Sequence, residues 1–327
     1  MSNEVAITLE QLEQAQRVEG KFKVKQLSVE GAANAPWLGV DTQGRPLLLV
    51  PSDQIHAHHE WSGASLTVEI GPNTVPSGPD HALIARCQRA AFTDYFVMLV
   101  QGILARMQSS PGEDGALIAV KEIDRWKAFF MADAPSHVLS TPQLAGLFAE
   151  LITLDRLRAA GVVDAVGAWQ GPVGEPQDFR LGDDRIEVKA TLGSGPLSVE
   201  INGLRQLARP DDGQLLLSVH RLELHPNGDS VPDVVNRLAA TGVSMADLMP
   251  KLSAIGFHPA LDSEHHKVKF REVEHHCYTV DEDFPRVSPE TLSTNTDALE
   301  GVHYRVLLGA VQEADPAHPL AGMVRPC

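Results

Sequence analysis

Gln177 to Thr191 reads QDFRLGDDRIEVKAT, and the periodicity of this stretch decides how the rest of the chain is read. Asp178 to Leu181 suits one short strand, Gly182-Asp183-Asp184 supplies turn chemistry, and Arg185 to Ala190 alternates polar and apolar residues as a second strand. On that second strand Glu187 and Lys189 are two apart, so they project from one face while Ile186 and Val188 point into the opposite layer. The hairpin brings Asp178 back toward this pair. Two carboxylates can hold Mg²⁺ and still leave coordination positions for water and a phosphate oxygen, and an ammonium beside them can stabilise developing negative charge. The D-x8-ExK spacing also recurs by chance, and E-x-K on a strand can be no more than a solvated ion pair. The neighbouring elements therefore have to decide.

Upstream, Thr141 to Ala159 (TPQLAGLFAELITLDRLRA) predicts a helix. Thr141 suits the N-cap, Pro142 the first helical position, and Leu144, Leu147, Leu151 and Leu154 recur at helical spacing. Glu150 falls at the edge of that buried stripe, where a carboxylate needs a metal or a cationic partner such as an arginine. Downstream, Leu197 to Ile201 is β-like, Asn202 to Ala208 reads as a short helix, and Gly213 to Leu224 (GQLLLSVHRLEL) is an apolar strand suited to a buried sheet. Gln206 lies on the short helix, where it is either a surface amide or a neighbour of the lysine.

With Asp178 as the aspartate and Glu187-Val188-Lys189 as the ExK, the stretch resembles the PD-(D/E)XK nuclease signature. The family's proline is displaced: Pro176 lies two residues ahead of the aspartate, with Gln177 between. Helix, strand, strand, strand, helix, strand is also the order of that family's core. The resemblance implies an α/β (α+β) fold with a restriction-endonuclease-like core, a β-rich N-terminal region and helical additions. It further implies metal binding by Asp178 and Glu187 with Glu150 assisting, Lys189 at the reacting phosphate, Gln206 near the lysine, and Mg²⁺ or Mn²⁺ as cofactor.

The wider pattern is similar to the PD-(D/E)XK-motif proteins of bacterial and archaeal defence gene clusters. It is carried by Trp126, Phe129-Phe130, Gly146 to Leu151, Gln206-Leu207, Tyr278 to Val287 (YTVDEDFPRV) and Gly301 to Val306. This similarity implies a metal-dependent DNA endonuclease subunit of a restriction-type system. The expected partners are double-stranded DNA and helicase-like or other ATPase proteins, with room for a homodimer. The competing expectation is a non-catalytic adaptor that keeps the nuclease fold.

At 327 residues, with 43% hydrophobic and 21% charged residues, the chain has the composition of a soluble globular protein. No apolar run is long enough to span a bilayer, and MSNEVAITLEQLEQ is too acidic and polar for a secretory signal. Cys87, Cys277 and Cys327 are the only cysteines, with no C-x-x-C spacing, which argues for a reducing cytoplasm and against a zinc knuckle. A net charge of −16 opposes unaided binding of a polyanion. Even Thr141 to Ser230 holds 13 acidic against 8 basic residues.

Residues 1–78 read as a β-rich N-terminal region, with Gly71 to Gly78 (GPNTVPSG) as its boundary. Residues 79–327 read as the nuclease-like domain, with a core of about 141–230 and C-terminal strand additions. Lys21, Lys23 and Lys25 form a basic stripe that suits a solvated strand face better than a phosphate. His56, His58 and His59 read as surface histidines. His81 to Met107 predicts one long helix and Ala116 to Phe130 a second. Lys267 to Val280 predicts two strands; Glu264-His265-His266 before it and Glu274 to Cys277 within it could face each other across a turn as a metal site, but read better as exposed strand residues. Gly193-Ser194-Gly195 has no following lysine, so no phosphate-binding loop is expected.

Overall fold

Strand β3 (Pro46–Pro51) is buried along its whole length because both of its edges are paired and both of its faces covered. It is the spine of the first of two units in a computed structural model. That model describes all residues except 1–3, 15–21, 31, 33, 76–77, 133–137, 259–260, 290–291, 293–294, 297–298, 300 and 325–327. Lys21 and Cys327 are therefore outside the described residues. The first unit comprises Met1–Ala134, Gly242–Ser253 and His258–Ala260. The second comprises Pro135–Thr241, Ala254–Phe257 and Leu261–Cys327.

In the first unit an antiparallel sheet runs in the order β1 (Lys23–Gln26), β2 (Trp37–Val40), β3, β6 (His81–Cys87), β5 (Leu66–Pro72) and β4 (Trp61–Ser62). Helix α1 (Glu4–Gln14) lies beside β1, where Lys23 Nζ donates to the Leu12 carbonyl at 2.8 Å and Lys25 Nζ to Gln11 at 3.4 Å. Helices α2 (Thr93–Ser109) and α3 (Gly115–Met131) bury Phe92, Tyr95, Trp126, Phe129 and Phe130 as one aromatic cluster. Helix α7 (Met245–Ala254) is tied to α3 by Arg125, which donates to Asp247 at 2.7 Å and Ser244 at 2.9 Å.

One expectation is corrected by the strand pairing. His81 to Met107 is not one helix, because HALIARC pairs with β3 on one side and β5 on the other. Its apolar residues fill both faces of a central strand, a pattern that a buried helix segment shares. Gly78 lies in the β5–β6 connection, within the first unit.

The second unit carries the candidate site. Helix α4 (Thr141–Ala159) starts one residue earlier in its capping than the sequence suggests: Ser140 is the N-cap, closing a capping box with Gln143. It packs on β8 (Asp184–Leu192), which belongs to a four-stranded sheet in the order β11 (Phe270–Thr279), β10 (Leu215–Asp229), β8, β7 (Phe179–Leu181). Strands β8 and β10 are parallel, Glu187 beside Leu217 and Lys189 beside Val219, while the other pairs are antiparallel. The crossover between them contains β9 (Ser198–Asn202), which pairs with β12 (His303–Leu307). The face of the sheet opposite α4 is filled by Val199, Ile201, Leu207, Leu217, Val219 and Tyr278 among others. Helix α6 (Val231–Ala240) packs on α4.

Asn202 ends β9 and residues 203–208 are bends and a turn, not the expected helix, because Gly203 adopts φ +106 and directs the chain out of the right-handed helical region. Lys267 to Val280 holds one strand, β11, in place of two; its partner is β10 across a register shift at Arg221/Leu222.

Candidate active site

The hairpin register pairs Phe179 with Ile186 and Leu181 with Asp184. Continued by one residue, it sets Asp178 opposite Glu187. Asp178 Oδ2 accepts the Val188 N–H at 2.7 Å, which fixes the carboxylate against β8. The Asp178 carbonyl accepts the N–H groups of Gln170 and Gly171 at 2.6 and 3.2 Å. The segment following helix α5 (Ala165–Ala168) is thereby strapped to the same point.

Glu150 projects from α4 toward that segment and accepts the indole N–H of the fully buried Trp169 at 2.7 Å. Gly171 marks where it meets Asp178. A Cβ there would stand 2.9 Å from Asp178 Oδ1 and 3.0 Å from Glu150 Oε2, so both carboxylates press against a bare backbone. Glu187, 1% exposed, forms an ion pair with Lys189 at 2.7 Å. Lys189 Nζ also donates to Gln206 Oε1 at 2.9 Å, and that oxygen accepts the Asn202 N–H at 2.8 Å. Gln206 therefore reaches the lysine from a turn.

Burial dominates the electrostatics. It raises Glu150 to about 8, with the Asp178 charge adding to it and Trp169 and Lys189 opposing. It raises Asp178 to about 6 against the Val188 N–H and Lys189. Glu187 is pushed well above the usual carboxylate range, first by burial and then by Asp178, with Lys189 the main opposing charge. Three carboxylates that resist ionisation and one lysine make a pocket short of positive charge.

The donor set fits a hard divalent cation on one observation. Glu187 Oε2 is buried with no hydrogen-bond partner among the described residues, and the contact of Oε1 is with the lysine. A buried orphaned carboxylate oxygen is costly unless something satisfies it. Among the described residues, no group of three or more His, Cys, Asp or Glu side chains already stands as a metal cage.

Four further residues come to this place, and no periodicity in the sequence assigns them to it. Trp169 and Gly171 follow α5 in an irregular segment, and Gln177 donates to the turn that carries Gln206. Tyr304, on β12, donates to the Val287 carbonyl at 3.2 Å; its phenol is raised by burial, and the charges of Lys189 and Glu187 reach it. The histidine clusters lie elsewhere. His56 stacks on His59 with His58 tilted against both, His265 stacks on Phe257, and His276 bridges Glu274 and Glu313.

Helix α4, the β7–β8 hairpin and the parallel β10 make this a restriction-endonuclease-like core of the PD-(D/E)XK class. The chain belongs to the DUF4420 family, described as "Putative PD-(D/E)XK family member", whose model matches residues 8–308. No curated protein and no solved structure matches the chain.

Proposed function

We propose that the protein is a metal-dependent DNA endonuclease subunit of a bacterial restriction-type defence system, hydrolysing phosphodiester bonds. The observation that carries this reading is the unsatisfied Glu187 Oε2 beside Asp178, Glu150 and Lys189 in a family of the PD-(D/E)XK class. Asp178, Glu187 and Glu150 would hold Mg²⁺ or Mn²⁺, which supplies Lewis acidity at a phosphate oxygen and an acidified water. Lys189 faces the negative charge that develops on the phosphate, and its bonds to Glu187 and Gln206 set its direction. Because burial keeps Glu150 protonated near neutral pH, its carboxyl has to release a proton before it can serve as a ligand, so metal affinity rises with pH.

Double-stranded DNA as substrate, a helicase-like or other ATPase as partner, and a homodimer as assembly belong to the same proposal. A cytoplasmic location is supported by the scarcity of cysteine and by the burial of Cys87 and Cys277. Among the described residues no helix is long and apolar enough to cross a membrane. The net charge of −16 favours a second reading, a non-catalytic adaptor that leaves DNA binding to its partners.

Plasmid cleavage with Mg²⁺ or Mn²⁺, alone and with the products of neighbouring genes, separates the two. Asp178→Asn is the informative variant, because it keeps an oxygen for the Val188 N–H while removing the charge. It should abolish cleavage and most of the thermal stabilisation by metal, leaving the metal-free protein as stable or slightly more so. If metal leaves the melting temperature of the parent unchanged and no preparation cuts DNA, the adaptor reading stands.

A further inference from the structure

Gln177 occupies the position at which the signature has proline, and its carboxamide is engaged. Nε2 donates to the Arg205 carbonyl at 2.6 Å and lies 3.4 Å from the carbonyls of Gln206 and Ala208. One acceptor is at full hydrogen-bonding distance and two are at its limit. The turn so held is not helical, because of Gly203; its own backbone supplies one bond, from the Ala208 N–H to the Arg205 carbonyl at 3.1 Å, while the Gly203 N–H bonds the Val302 carbonyl at 2.7 Å and Leu207 is buried in the core. Gln206 leaves this turn to accept from both Lys189 and the Asn202 N–H.

We propose that Gln177 is a positioning residue for Lys189. It ties the start of the Asp178 strand to the turn that presents Gln206, so the carboxylate side and the lysine side of the site are set by one clasp. Proline has no donor and could not make this contact. The same turn, with Pro176 opposite, walls a cleft of about 870 Å³ lined by Asn202, Arg205 and Gln206. The clasp therefore also fixes the part of the cleft wall that carries Gln206, the partner of the lysine. The role in catalysis rests on the nuclease reading, whereas the clasp itself does not.

The test uses the full chain and reads Lys189 directly. Gln177→Met keeps the length and loses the donor; Gln177→Lys restores one. Acetylation of Lys189, followed by peptide mapping, should run roughly fivefold or more faster in Gln177→Met, the population ratio that one lost hydrogen bond allows. In Gln177→Lys it should return toward the parent rate. A parent-like rate in folded Gln177→Met overturns the proposal. Should that variant not fold, solvent exchange of the Gln177 carboxamide protons in the parent decides: protection supports the clasp, and exchange at the rate of a free glutamine refutes it. Where cleavage is measurable, Gln177→Met should lower kcat with KM unchanged. If no preparation cleaves DNA, the nuclease reading fails while the acetylation result still decides the clasp.

Discussion

Glu150 is a carboxyl group that the folded protein holds in its neutral form. Its pKa rises from 4.5 to about 8 through burial beside Asp178, which itself rises from 3.8 to about 6. The folded state therefore keeps protons that the unfolded chain releases, and stability falls as pH climbs from each unfolded value to the folded one. Metal-free protein should lose thermal stability between about pH 4 and about pH 8. Glu150→Gln should make the upper part of that loss shallower, leaving the share contributed by Glu187, since Asp178 has finished titrating by then. Melting curves across a pH series in chelator check this, and a profile as steep in the variant as in the parent would count against it. Saturating Mg²⁺ should reverse the trend in the parent alone.

Helix α4 reaches the site at Glu150 and is anchored one turn later. Thr153 Oγ1 lies 3.0 Å from His220 Nε2, and His220 Nδ1 lies 2.6 Å from Glu272 Oε1. Arg156, further along the helix, makes a two-pronged ion pair with the same glutamate. Burial alone would raise Glu272, but hydrogen bonds from His220 and Arg156 prevail and hold it at about 2. Burial lowers His220. This buried network sets the rotation of α4 on the sheet, and with it the direction of Glu150. Thr153→Val keeps the shape and removes the hydroxyl, so it should cost about 1–2 kcal/mol in urea melts, with metal affinity falling as well. An exposed threonine changed in the same way would cost almost nothing.

At the scale of the whole molecule, the net charge of −16 sets the terms for DNA. Phosphate contacts supply most non-specific affinity and are lost steeply with salt. The isolated protein should therefore bind duplex DNA weakly, and the binding should fade between about 50 and 200 mM salt, while an ATPase partner raises activity. Fluorescence anisotropy at several salt concentrations measures this, and tight, salt-insensitive binding by the lone chain would contradict it.

The sequence by itself determined the parts whose signal is local. Helix 141–159 is legible because leucine spacing and capping chemistry lie within one element, and the 179–192 hairpin because a turn separates two short alternating runs. Those two elements carry Glu150, Glu187 and Lys189, with Asp178 directly before the first strand, so the four charged candidates could be named. Only the tertiary structure decided what surrounds them. HALIARC is a strand because β3 and β5 flank it, which its own apolar run cannot express. Gly171, Trp169, Gln177 and Tyr304 gain their meaning from segments distant in the chain. A close approach at a bare backbone, an indole donor or a clasp on a turn follows from which surfaces pack together, and no periodicity within one element encodes it.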